Sequence, residues 1–123
     1  MTTLKIGIAS YDQMKERTMA IARGELKARR SDPKVWFTTM ESVAKVLSDR
    51  NRALLELIAK AKPESLTELA ELSGRQKPNL SRTLKTMANY GLVRLQKGKR
   101  GQIAPRVAYT EIVLDLPISA AAS

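Results

Sequence analysis

Residues 65–102, SLTELAELSGRQKPNLSRTLKTMANYGLVRLQKGKRGQ, decide how the chain is read. Leu66, Leu69, Ala70 and Leu72 recur at helical spacing and are expected to face inward, with Glu68 and Glu71 outward. Thr67 is the expected cap of this helix, a plain cap because Ala70 rather than Glu or Gln follows three residues on. Ser73-Gly74 makes a tight corner, for which Gly74 supplies the dihedral freedom. A second helix is expected from about Lys77 to Tyr90, buried along Leu80, Leu84, Met87 and Ala88 and stopped by Gly91. Pro78 is tolerated because it falls in the first turn, where its missing N–H has no partner anyway. Beyond it, Leu92–Gln96 and Ile103–Tyr109 are strand candidates on either side of KGKRG, residues 97–101. Two strands around a glycine-containing tip make a hairpin, and Pro105 restricts the second strand to an edge.

A helix-turn-helix followed by a basic hairpin is the pattern of a winged helix-turn-helix. The expected fold class is therefore mainly α with a small β-sheet, a winged helix-turn-helix with an N-terminal strand-helix extension. Upstream, Ser48 is expected to cap a helix over 49–61 with a stripe of Ala53, Leu54, Leu57, Ile58 and Ala61, stopped by Pro63. Thr39 caps a shorter helix, 40–47. Val35–Thr39 (VWFTT) is a candidate for a short strand or for the anchor of the next helix, and its Trp36 and Phe37 are expected to pack the extension onto the main domain. LKARRSDPK, residues 26–34, reads as a solvated connector, with phosphate contact by Lys27, Arg29 and Arg30 the less favoured role. Ser10 caps a helix from Tyr11 to Glu25, and Leu4, Ile6 and Ile8 alternate as a strand. Ile112, Leu114, Leu116 and Ile118 alternate likewise, free to pair with 4–8 of the same chain or of a partner. The expected division is a 1–39 extension for dimerisation or partner binding, a 40–118 winged domain and a frayed tail, 119–123.

Charge locates the candidate site. Between Leu72 and Thr110 there are nine Lys or Arg residues and no Asp or Glu, within a chain of net charge +10 and pI near 10.2. Ordinary exposed faces mix both signs, so a one-signed surface points to an anionic partner, duplex DNA first. With Leu80, Leu84 and Met87 inward, the opposite helix face carries Lys77, Asn79, Ser81, Arg82 and Lys85. Asn addresses adenine N6 and N7, while Arg and Lys address guanine O6 and N7, in the major groove. Lys77, Asn79, Ser81 and Arg82 are the expected base contacts, with Lys85 nearer a phosphate. Lys97, Lys99 and Arg100 at the tip are expected on the backbone or in a minor groove, and Arg75 and Arg94 are further phosphate candidates.

Composition narrows the alternatives. The chain has no Cys and no His, which removes thiol nucleophiles, imidazole bases, disulfides and Cys/His zinc sites together. The 12 acids are scattered at surface-like positions, so no enzyme and no cofactor are expected. Aromatics at 4% argue against single-strand binders built on stacking rings. No apolar run reaches the roughly 20 residues that cross a bilayer, and MTTLKIGIAS lacks the order of a signal peptide, so a cytoplasmic protein without membrane contact is expected.

The motifs L-x-x-L-A-x-x-S-G, N-L-S-R-x-L-K and Y-G-L-V resemble the DNA-binding core of MarR-like and ArsR-like winged-helix transcriptional regulators over about 45 residues. LKIGIASYDQM and YTEIVLDLP are similar to small prokaryotic regulators, some of which look like antitoxins encoded beside a toxin. The resemblance implies a homodimer that binds a palindromic operator and often represses its own operon. It also implies an alternative compatible with DNA binding, neutralisation of a cognate toxin through the extension. Gln76 departs from the Ser or Thr cap of many relatives, and without Cys or His the metal response of some ArsR-like proteins is not expected.

Overall fold

Leu4, Ile6 and Ile8 alternate along β1 (Thr3–Ile8), the centre of a three-stranded parallel sheet. On one side β1 pairs with β2 (Val35–Phe37), Ile6 opposite Val35 and Ile8 opposite Phe37. On the other it pairs with β5 (Glu111–Asp115), Leu4 opposite Ile112 and Ile6 opposite Leu114. The expected pairing of the C-terminal strand with residues 4–8 is thus made within the chain. Leu4, Ile6 and Phe37 are almost fully buried. The connection from β1 to β2 contains α1 (Tyr11–Ala22), opened by a capping box in which Ser10 Oγ accepts from the Gln13 amide (3.1 Å) and Gln13 Oε1 from the Ser10 amide (2.7 Å). Across the sheet Trp36 lies beside Gly7, where a Cβ would stand 2.7 Å from the indole. Arg17 covers the ring at 5.6 Å and pairs with Asp32 at 2.7 Å. Trp36 thus meets Gly7 and Arg17 of the same N-terminal segment.

This computed structural model describes residues 2–28, 32–116 and 118. Arg29, Arg30 and the expected tail, 119–123, lie outside them; Lys27 is exposed. The molecule is a small mixed α/β protein, about half helical, that divides into two units. One comprises the chain up to Val43 and from Thr110 on; the other is the continuous segment Ala44–Tyr109. That division differs from the expected 40–118 domain at both ends. It falls within α2 (Met40–Val46), and the residues after Thr110 join the first unit because β5 pairs with β1. Among the described residues no helix is long and apolar enough to cross a membrane.

The second unit holds α3 (Asp49–Ala61), α4 (Leu66–Ser73), α5 (Lys77–Asn89) and a hairpin of β3 (Arg94–Lys97) and β4 (Ile103–Arg106). Its core is Leu54, Leu55, Ile58, Leu69, Leu80, Leu84, Met87, Leu92, Val93 and Ala104, each larger side chain contributing about 1.5–3 kcal/mol. Three expected inward positions are corrected: Ala53, Leu72 and Ala61, the last of which closes the helix and is exposed. Successive helix residues advance by roughly 100°, so Ala53 falls well off the Leu54–Ile58 stripe and is exposed, while Leu55 joins the core. Leu72 lies off the Leu66–Leu69–Ala70 stripe by a similar angle and is half exposed.

The cap of α4 is Ser65 rather than Thr67. Its Oγ accepts from the Glu68 amide at 3.1 Å, and Glu68, expected to face out, turns its carboxylate back to accept from the Glu64 amide at 3.0 Å. The α4 helix ends at Gly74, whose φ of +72° is the left-handed corner that turns the chain toward α5.

Candidate nucleic-acid interface

On α5 the apolar positions turn inward, leaving Leu80, Leu84 and Met87 at most 1% exposed. That orientation leaves Lys77, Asn79, Arg82 and Lys85 exposed, with Thr86 and Asn89 further along; Ser81 is half-buried. Gln76 occupies the position before the helix and makes no side-chain capping bond, and no acid stands in the first turn.

The polar groups of this face are already organised. Arg82 Nη2 donates to Asn79 Oδ1 at 2.7 Å, one helical turn apart, and Lys77 Nζ donates to Thr67 Oγ1 at 3.0 Å. Arg75, half-buried in the corner between α4 and α5, is held from two sides. Its Nη1 donates to Asn51 Oδ1 at 3.1 Å and its Nη2 to Thr83 Oγ1 at 3.2 Å. Burial lowers the Arg75 pKa from its ordinary value, and the like charge of Arg50 adds to that. These partners orient the guanidinium groups without cancelling their charge.

Arg50, Arg75, Gln76, Asn79, Arg82 and Thr83 line an open cavity of about 390 Å³. Of the residues singled out in the sequence it gathers Arg75, Asn79 and Arg82; Lys77, Ser81 and Lys85 lie on α5 outside its lining. Arg50 is the residue that sequence reasoning missed. The reading of segment 49–61 rests on its cap and its apolar stripe, and the signal it leaves out is the exposed basic side chain at the second position of that helix.

The hairpin carries the remaining cations. Arg94, Lys97, Lys99 and Arg100 are exposed, and Arg100 takes a left-handed conformation, φ +63°, in the short 3-10 turn Lys99–Gly101 at the tip. The strands pair with Leu95 opposite Pro105 and Lys97 opposite Ile103, so both are shorter than the expected 92–96 and 103–109. Leu92 and Val93 instead carry the chain through the core before pairing begins. Among the described residues, Arg106 is the cation of this region that meets a carboxylate. Its Nη2 donates to Glu64 Oε1 at 3.1 Å and its Nη1 to the Pro63 carbonyl at 2.6 Å. Arg106 thus ties the hairpin down, while the other eight basic residues of segment 72–110 form no ion pair among the described residues.

Close approach fixes the hairpin as well. A Cβ on Gly98 would stand 2.7 Å from the Glu64 carbonyl oxygen and 3.1 Å from the Ala104 Cβ. Backbone cannot swing aside as a side-chain tip does, so Gly98→Ala is expected to lower stability by about 1–3 kcal/mol. Chemical denaturation should show a lowered midpoint at unchanged slope.

No curated protein and no solved structure matches the chain. A family model does, that of HVO_A0114, over residues 46–114, from the end of α2 through α3, α4, α5 and the hairpin into β5. As that match spans more than half of the sequence, the chain belongs to the HVO_A0114 family.

Proposed function

We propose that this protein is a winged helix-turn-helix regulator of the MarR-like or ArsR-like kind, binding duplex DNA with α5 in the major groove and the β3–β4 tip on the backbone or in the minor groove. The observation that carries the reading is the exposed face of α5. It combines Asn79 and Arg82, the side-chain types that read base edges, with Lys77 and Lys85, in a segment without a single acid. Lys97, Lys99 and Arg100 extend the same charge along the hairpin. As a homodimer it addresses two half-sites about 34 Å apart and represses the operon that encodes it.

Self-association is assigned to the unit built from the chain ends, where Val113, Leu116 and Ile118 expose apolar surface along and beyond β5. Sedimentation of the isolated protein tests this. A monomer would shift the weight to neutralisation of a separate partner protein through residues 1–39.

The test of DNA binding is fluorescence anisotropy with duplexes from the region upstream of the gene, across a range of KCl. Neutralising six to ten phosphates costs about 10³–10⁵ in affinity between roughly 50 and 200 mM salt, and a decline of that order is the expected result. No binding at low salt, or affinity indifferent to salt, would remove DNA as the partner.

A further inference from the structure

The cavity between the start of α3 and the corner before α5 has a composition that its own fold does not use. Three arginines, Arg50, Arg75 and Arg82, line it from three different stretches of chain. Each is left with its full charge, since Arg75 is held by Asn51 and Thr83, Arg82 by Asn79, and Arg50 has no carboxylate partner among the described residues. Gathering like charges opposes folding, and neutral hydrogen-bond acceptors position the groups without relieving their repulsion. What relieves it is an anion with several acceptor oxygens, for which guanidinium forks are matched in shape.

We propose that this cavity seats one phosphate group, with Arg50 and Arg75 as its principal donors. The group is a phosphodiester of a bound duplex or a free inorganic phosphate; both present the same oxygens. The duplex arm rests on the DNA-binding reading above, whereas the free-phosphate arm does not. On a duplex, the cavity adds a backbone anchor from α3, outside both the recognition helix and the hairpin. Such a contact fixes register along the groove without reading sequence.

Two measurements on the full chain test this. In the first, affinity for a duplex of arbitrary sequence is followed against KCl for the wild type and Arg50→Gln. Arg50 is exposed and holds nothing in the fold, so the variant keeps its structure. Loss of one phosphate contact lowers the slope of log affinity against log salt by about 0.9, equally on every sequence. In the second, the backbone amides of Gly74, Gln76 and Asn79 are followed by NMR during titration with potassium phosphate against KCl at matched ionic strength. Saturable shifts with phosphate alone, weakened in Arg50→Gln, are expected. Duplex binding with an unchanged slope in Arg50→Gln, together with no saturable phosphate shift, overturns the proposal. If the wild type fails to bind duplex but phosphate saturates, the cavity stands as a free-phosphate site and the DNA-binding reading falls; if neither occurs, both fall.

Discussion

Leu80→Ala is expected to lower the stability of the protein by about 2–5 kcal/mol, the range for truncating a fully buried Leu, Ile or Met. Leu80 has no exposed surface and belongs to the same core as Ile58, Leu69, Leu84 and Met87, all at most 1% exposed. Those side chains come from three helices, which cannot close together over the vacated volume without dragging their polar faces along. Set against a total of about 5–15 kcal/mol for a typical domain, such a loss is a large fraction. Thermal unfolding should move down by about 4–8 °C for each kcal/mol lost. The effect on function should exceed that of any surface change, because Leu80 fixes which way Asn79 and Arg82 point. Thermal melts followed by far-ultraviolet circular dichroism provide the check. A shift of only a degree or two would mean that α5 is not seated by this stripe.

The second large effect concerns DNA affinity. Arg82→Ala and Asn79→Ala are each expected to weaken binding to the preferred sequence by about 1–3 kcal/mol, roughly 5- to 150-fold, and to relax preference at one base position. The two should not add. Arg82 Nη2 already donates to Asn79 Oδ1 at 2.7 Å, so each side chain orients the other before any duplex arrives. Removing either releases its neighbour, and the double variant then loses less than the sum of the single losses. Anisotropy with the four proteins of the cycle measures that coupling directly. Exact additivity, with sequence preference intact, would show that neither residue meets a base.

Much of the fold was legible because periodicity is a strong signal over long elements. Helix α3 was expected over 49–61 and is found there, and the stripe of Leu80, Leu84 and Met87 on α5 is as its spacing indicates. The alternation of residues 4–8 and 112–118 points to two strands, one option being that they pair with each other; they do, although β5 ends at Asp115, short of Leu116 and Ile118. What was misread has local causes. Thr67 is a cap by residue type alone, whereas Ser65 and Glu68 stand in the S-x-x-E relation of a capping box, and that is the signal the fold follows. Leu72 is apolar, but its angular position on a two-turn helix faces it away from the core.

The candidate site was legible along α5 and the hairpin, where neighbouring residues in sequence share a face. The role of Arg50 was not, because it depends on how the start of α3 approaches the corner at Gly74 and Arg75, a relation between stretches some 25 residues apart. Nor did sequence distinguish Arg106, bound to Glu64 and the Pro63 carbonyl, from the cations that remain free of acids. In one dimension all nine look alike.

The pairing of β1 with β5 bears on the order in which the chain can acquire its structure during synthesis. Segment 44–109 is one continuous stretch that forms a compact unit, so its core can begin to form once that stretch has emerged from the ribosome. The sheet cannot. Although β1 has β2 within reach early, its other flank stays open until residues 111–115 exist, as the contact between Thr2 and Thr110 spans 108 positions. An open strand flank invites pairing with another chain. For that interval nascent chains on one message are exposed to one another, and closure by β5 ends the exposure.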